Sequence, residues 1–267
     1  AAYPAGELHG AWLTVLTNQF HDIIPGSSID EVYQVSNADY EAVRTTGERI
    51  VREKLTALAG KIGTRGGVLV WNPHGCLHRG EVRVGDELVY VTDIPAKGWC
   101  VTEPVRGTGS VTVDARVMEN AFFRVELDEH AVITRIYDKQ NDREVLRAGA
   151  KGNRLVAFED FPKDYDAWEI SEYYTEKSWE LDDVQSVTPV QDGVRAGLRV
   201  ERKFLSSTVT QTIWLYEHTP KIDFETAADW HEHHLLLKAL FDTDIHTARA
   251  TCNIQFGNLE RSTLKNT

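Results

Sequence analysis

Apolar residues recur at helical spacing near the start of the chain and at alternate positions through most of the rest. Leu8, Trp12, Leu13, Val15, Leu16 and Phe20 fall on one helical stripe. Pro25-Gly26 breaks it. Ser28 followed by Glu31 reads as a capping box, with Ile29 and Val32 opening a second helix. That helix is expected from Ile29 to Gly60, through Val32, Val35, Tyr40, Val43, Ile50, Leu55 and Leu58, with an interruption near Gly47. Gly60, Gly63, Gly66 and Gly67 then end it and form a linker. Two helices make a hairpin that buries little by itself, so this segment calls for a further helix or domain.

From Val68 the period changes to two. Val68–Trp71 runs into an Asn72-Pro73 turn, and Gly85-Asp86 separates Glu81–Val84 from Leu88–Val91 as in a hairpin. Ser110–Val113, Phe123–Leu127, Val132–Tyr137, Val187–Val190, Val194–Val200, Val209–Tyr216 and Lys221–Thr226 read as further short strands. Asp128-Glu129-His130 and Gly193 mark turns between them, and Gly107 and Gly109 also read as turn residues. Helix–strand alternation and fixed-period repeats are absent. The fold class is therefore mainly β: a β-sandwich over residues 68–267, preceded by a short α-helical hairpin or bundle segment over residues 1–62.

Composition narrows the partners. With 41 acidic against 29 basic residues the formal charge is -12, and no basic patch interrupts the acids. Such a surface repels phosphate backbones and excludes ordinary nucleic-acid binding. No run of apolar residues is long enough to cross a membrane as a helix. Cys76, Cys100 and Cys252 are far apart, form no CxxC spacing and are odd in number. They read as reduced cysteines of a cytosolic protein. The start, Ala1-Ala2-Tyr3-Pro4, and the end, Leu264-Lys265-Asn266-Thr267, read as those of an excised piece.

Three clusters bear chemistry. His21-Asp22 sits where an apolar helix meets a Pro-Gly turn. The pair supplies nitrogen and oxygen donors for part of a metal shell, or simply hydrogen-bonds turn amides. His231-Glu232-His233-His234 lacks the HExxH spacing and reads as a polar strand or turn before Leu235-Leu236-Leu237. Residues 159–170 interleave Glu159, Asp160, Asp164, Asp166 and Glu169 with Phe161, Tyr165 and Trp168. Rings and carboxylates in that mixture suit a sugar, whose apolar face stacks and whose hydroxyls donate; they equally suit an ordered loop. Glycosidase chemistry needs two carboxylates across one bond, and spacing alone selects no pair here.

Asn18-Gln19-Phe20-His21-Asp22-Ile23-Ile24-Pro25-Gly26-Ser27-Ser28-Ile29 resembles a segment of the α-mannosidases of glycoside hydrolase family 38, in the bacterial and cytosolic branch. Val70-Trp71-Asn72-Pro73 is a weaker echo of the entry into that family's β region. Asp166-Ala167-Trp168-Glu169-Ile170 resembles its Trp-Asp-Ala-Trp motif, with Tyr165 in place of the common Trp. Asp229-Trp230-His231-Glu232, leading to Leu237-Lys238, resembles its Asp-Trp-x-Glu strand. Phe256-Gly257 to Thr267 resembles Phe-Gly-x-x-x-Arg-Pro-Thr-His-x-Asn-Thr around Arg261, with Ser262 and Leu264 replacing Pro and His. The matches are collinear over essentially the whole chain.

The resemblance implies the end of a middle three-helix bundle followed by the first part of a C-terminal β region. It implies a retaining mannosidase of bacterial cytoplasm acting on terminal α-D-mannosyl residues of oligosaccharides. Nucleophile, acid/base and most zinc ligands are expected in a separate N-terminal domain that this chain would contact, so no catalytic residue is assigned here. His21 maps to a zinc ligand and Asp22 to a mannose contact, whereas Asp166, Trp168, Glu169 and Arg261 are expected to border the site or a domain interface. One imidazole should hold zinc weakly, and the chain alone is expected to be inactive. Unpartnered apolar faces predict self-association. The competing readings are an independent carbohydrate-binding module and a structural interaction domain.

Overall fold

The computed structural model describes residues 3–64 and 66–264. Strands take 43% of residues against 18% in helices, which makes the fold mainly β with two helices at the N-terminal end. Two compact units emerge: one gathers the chain up to Val84 with Tyr90–Val105 and Asp160–Tyr174, the other Gly85–Val89, Arg106–Glu159 and Thr175 onward.

In the first unit, helix α1 (Ala5–Asn18) packs with helix α2 (Asp30–Ala59) as a hairpin. Asn18 is buried at the end of α1, where its amide donates to Thr14 O (3.1 Å) and to Asp39 Oδ2 on α2 (2.9 Å). Helix α2 runs unbroken through Gly47, contrary to the interruption expected there. Arg44 pairs with Glu41 and Glu48, and Arg49 with Glu53, so one-turn ion pairs brace the helix on both sides of the glycine. The capping box also fails to form. Ile29 occupies the cap position with no side-chain bond, while Ser28 Oγ donates instead to Asp22 O at 2.8 Å. Asp30 and Glu31 still place negative charge at the positive end of α2. The same unit holds an antiparallel ribbon, Val68–Asn72 with Gly98–Thr102, whose register sets Trp71 opposite Trp99. Buried Asn72 fixes its end: the amide donates to Cys76 O (2.8 Å), and Oδ1 accepts from His74 N (3.0 Å).

The second unit is a sandwich. One face is a five-stranded antiparallel sheet running Thr112–Asp114, Val117–Glu119, Phe123–Leu127, Ile133–Asp138 and Arg143–Glu144. The other is the meander Asp183–Asp192, Arg195–Phe204, Ser207–Tyr216 and Ile222–Asp229. Buried residues of both sheets face inward: Met118, Val125, Ile133 and Ile136 from the first sheet meet Leu198, Val200, Ile213 and Leu215 from the second. A three-stranded sheet, Ser178–Glu180, Arg154–Glu159 and Leu235–Leu240, contributes a smaller core of Leu155, Ala157 and Leu181 against Val209. Buried polar residues accompany these cores. Gln211 and Asn153 bond each other (2.7 Å), and Arg202 donates to Ala131 O (2.9 Å). Burial lowers the Arg202 pKa to about 10, against a smaller opposing pull from Asp128.

Most alternating runs became strands within a few residues of their expected ends. The strand Arg154–Glu159 escaped that reading because Leu155, Val156, Ala157 and Phe158 are all buried and show no alternation. Gly107 proves to be more than a turn residue. A Cβ there would lie 2.1 Å from Gly193 O, and one on Gly193 would lie 1.8 Å from Leu88 O. Three backbone segments thus cross in contact. Beside them, buried Glu217 accepts from the amides of Thr108, Gly109 and Ser110 and from the Thr108 hydroxyl.

Candidate functional site

The residues from 18 to 28 form a tight connector between α1 and α2. The last turn of α1 is closed by Gln19 N to Leu16 O (3.3 Å) and Phe20 N to Thr17 O (3.4 Å). Ile23 N and Ile24 N then both donate to Phe20 O, and Gly26 N donates to Ile23 O. Gly26 takes φ 87°, a left-handed conformation that a side chain would disfavour, and so lets the chain reverse after Pro25.

Within that connector the backbone of Asp22 is anchored. Its carbonyl accepts from Ser28 Oγ (2.8 Å) and lies 3.3 Å from the Tyr33 hydroxyl, which is equally placed for Ile23 O. Tyr33 Oη in turn accepts from Ser28 N (3.0 Å). A residue of α2 therefore fixes where the His21-Asp22 pair is presented. Sequence reasoning missed Tyr33: it sits beside the apolar Val32 on an amphipathic helix, and only the long-range contact reveals its role.

His21 is held at the surface. Its side chain is 72% exposed, its ring lies against Phe20 with centroids 4.2 Å apart, and Nε2 is 3.5 Å from Asp22 Oδ2. The Asp22 side chain is half as open, at 36%, and its Oδ1 is buried with no hydrogen-bond partner among the described residues. A buried acceptor without a donor is costly, and such a group favours a ligand that brings one. An imidazole nitrogen and a carboxylate oxygen this close also match the donor types that zinc selects. They are part of a shell only: among the described residues no group of three or more His, Cys, Asp and Glu could hold a metal.

The remaining candidates lie on other segments of the chain. Asp166, Trp168 and Glu169 lie on the exposed loop of the first unit, where Trp168 N and Glu169 N both donate to Tyr165 O (2.7 and 2.9 Å). Arg261 belongs to the second unit, exposed on Gly257–Ser262 opposite Ala250. Lys265, Asn266 and Thr267, the end of its motif, lie outside the described residues. Around His231 the side chains bond locally: Nε2 meets Asp229 Oδ1 at 3.0 Å, and Glu232 accepts from Ser206 N and Ser207 Oγ. The sandwich unit has a cleft of about 540 Å³ beside His130, Lys151 and Arg154. Two of its cations are already matched, Lys151 with Asp128 and Arg154 with Glu180, and it contains none of the candidate residues.

Comparison with known proteins gives a consistent picture. The family model described as "Glycosyl hydrolases family 38 C-terminal domain" matches residues 118–267, and that described as "Alpha mannosidase middle domain" matches residues 1–58. The chain is 32% identical over 291 residues to Alpha-mannosidase 2C1 of Homo sapiens, covering 99% of this chain and 27% of that protein. It is 24% identical over 331 residues to Alpha-mannosidase G of Dictyostelium discoideum, covering 99% of this chain and 30% of that protein. Among solved structures, an α-mannosidase from Enterococcus faecalis V583 aligns with TM-score 0.79 and 15% identity, over 98% of this chain and 42% of the other. That last likeness establishes the fold. The chain spans less than a third of the length of these curated relatives.

Proposed function

The chain belongs to glycosyl hydrolase family 38, and from that premise we propose that it supplies the middle and C-terminal parts of a zinc-dependent α-mannosidase that removes terminal α-mannosyl residues from oligosaccharides. The observation that carries the reading is the order of the two family matches along one chain. The short share of its relatives' length supports placing the nucleophile and acid/base on sequence outside this chain.

In this reading His21 offers an imidazole nitrogen to zinc, and Asp22 receives a mannose hydroxyl. The donor types fit, and the unpartnered Asp22 Oδ1 gives such a hydroxyl a ready acceptor. Bound zinc would supply a Lewis acid for sugar oxygens. The chain's own contribution is positional: Ser28 and Tyr33 hold the Asp22 carbonyl, so His21 and Asp22 are presented from a fixed turn.

The test uses the longer protein that contains this chain. Release of p-nitrophenol from an aryl α-mannoside should depend on added zinc and fall by at least about a hundredfold in His21→Ala. Activity unaffected by that substitution sinks the zinc assignment. The 267-residue chain itself should release none, and hydrolysis by it would place catalytic groups within the residues described above.

A further inference from the structure

The loop that leaves Glu159 and returns at Lys177 is long and contains only one short 3₁₀ turn, Tyr174–Glu176. Its two ends are pinned together: Phe158 pairs with Ser178 and Glu159 N donates to Lys177 O at 3.0 Å. Long excursions with closed ends and little secondary structure are uncommon unless they do something. This one displays aromatic rings to water. Tyr165 is 73% exposed and Trp168 61%.

The backbone is arranged for that display. Tyr165 adopts φ 57°, a conformation disfavoured for a bulky residue. Its carbonyl accepts from Trp168 N and Glu169 N, which closes a single turn and brings the two ring-bearing residues onto it together. Asp166 and Glu169 share that turn. Neither carboxylate has a hydrogen-bond or ion-pair partner among the described residues, although bases are common elsewhere on the chain.

We propose that this turn is a sugar-binding site, with Tyr165 and Trp168 stacking on the apolar face of a mannose ring and Asp166 and Glu169 accepting its hydroxyls. The proposal rests on the mannoside function above and adds binding residues beyond the His21-Asp22 pair. A protein partner is the less fitting occupant. Centres of protein interfaces are depleted of charge, whereas here unpaired carboxylates interleave with the rings. A neutral polyol with an apolar face uses both kinds of group at once, since carboxylates are acceptors and hydroxyls are donors.

Electrophoresis of the 267-residue chain through native gels containing α-mannan, with dextran gels as reference, tests this. The chain should be retarded in mannan alone. Trp168→Ala and Tyr165→Ala should each weaken retardation about three- to tenfold, while Trp168→Phe, which keeps a ring, should retain most of it. Circular dichroism identifies any variant that fails to fold, and the Phe variant then carries the comparison. Absence of retardation, or equal retardation of all variants, overturns the proposal. So does sedimentation showing that Trp168→Ala dissolves an oligomer while mannan binding is unchanged. Failure of the hydrolysis test with mannan binding intact would remove the enzymatic reading and leave this site standing. Hydrolysis without mannan binding would do the reverse.

Discussion

The helical unit and the sandwich unit use apolar residues in opposite ways. In the sandwich Val125, Ile133, Leu198, Ile213 and Leu215 are essentially inaccessible to water, and both sheets contribute to one interior. In the helical hairpin Trp12, Leu13 and Leu16 are each more than half exposed, and Ile50 is the one apolar residue of either helix that is buried. The same periodic signal therefore marks a completed core in one region and an open face in the other. Periodicity tells which side of an element is apolar; it does not tell whether that side is covered by the chain that carries it.

Glycines give the sharpest way to test the contrast. Gly193 takes φ 57° with Leu88 O where a Cβ would sit, so both conformation and space forbid a side chain. Gly26 takes φ 87° with nothing within 4 Å, so only conformation objects. Gly193→Ala should destabilise the chain by about 4 kcal/mol or more, and Gly26→Ala by about 1–2 kcal/mol. Urea midpoints followed by circular dichroism check both. Equal losses would show that the backbone crossing at Gly107, Gly193 and Leu88 relaxes easily, and the two regions would then differ less than their packing indicates.

Gly193 also shows where sequence reading stops. As a break between two alternating runs it was legible, and both flanking strands formed. The crossing beneath it was not, because it depends on Leu88 and Gly107, which are remote in sequence. Arg154–Glu159 was illegible for another reason: a strand buried on both faces loses the alternation that identifies strands. Ser28 carried a correct-looking capping pattern, yet a hydroxyl can satisfy either an amide or a nearby carbonyl, and here the Asp22 carbonyl took it. The His21-Asp22 pair was visible as a motif, whereas Tyr33, which fixes its backbone, was not.

Carboxylates extend the comparison at intermediate cost. Burial pushes the Glu217 pKa up, but three backbone amides and the Thr108 hydroxyl outweigh it and hold the group below its usual 4.5. A depressed folded pKa means that this stabilisation is complete above the unfolded value and is lost as pH falls through the folded one. Glu217→Gln should cost about 1.5–3 kcal/mol at pH 7. The gap to wild type should narrow as pH drops below 4.5, read from urea titrations at stepped pH. Glu41 on α2 is also lowered, chiefly by its hydrogen bond to Arg44, but it is exposed. Glu41→Gln should leave the midpoint unmoved. A comparable loss at both positions would erase the distinction between a strut inside the sandwich and a solvated pair on the helix.

The smallest expected effect bears most directly on the open face. Leu16 is 56% exposed, so Leu16→Ser should change stability by less than about 0.5 kcal/mol. Ile213, at 0% exposure, supplies the reference, since Ile213→Ala should cost about 2–5 kcal/mol. The measurement needs two protein concentrations. A loss at Leu16 that grows with concentration means that a second copy covers the face, because only the associated state then buries the side chain. A large loss that ignores concentration means that the stripe is packed within one chain, and the hairpin is then no more open than the sandwich. A null result at both concentrations keeps the two regions distinct: one stabilised by what it encloses, the other displaying an apolar stripe that contributes nothing to holding this chain together.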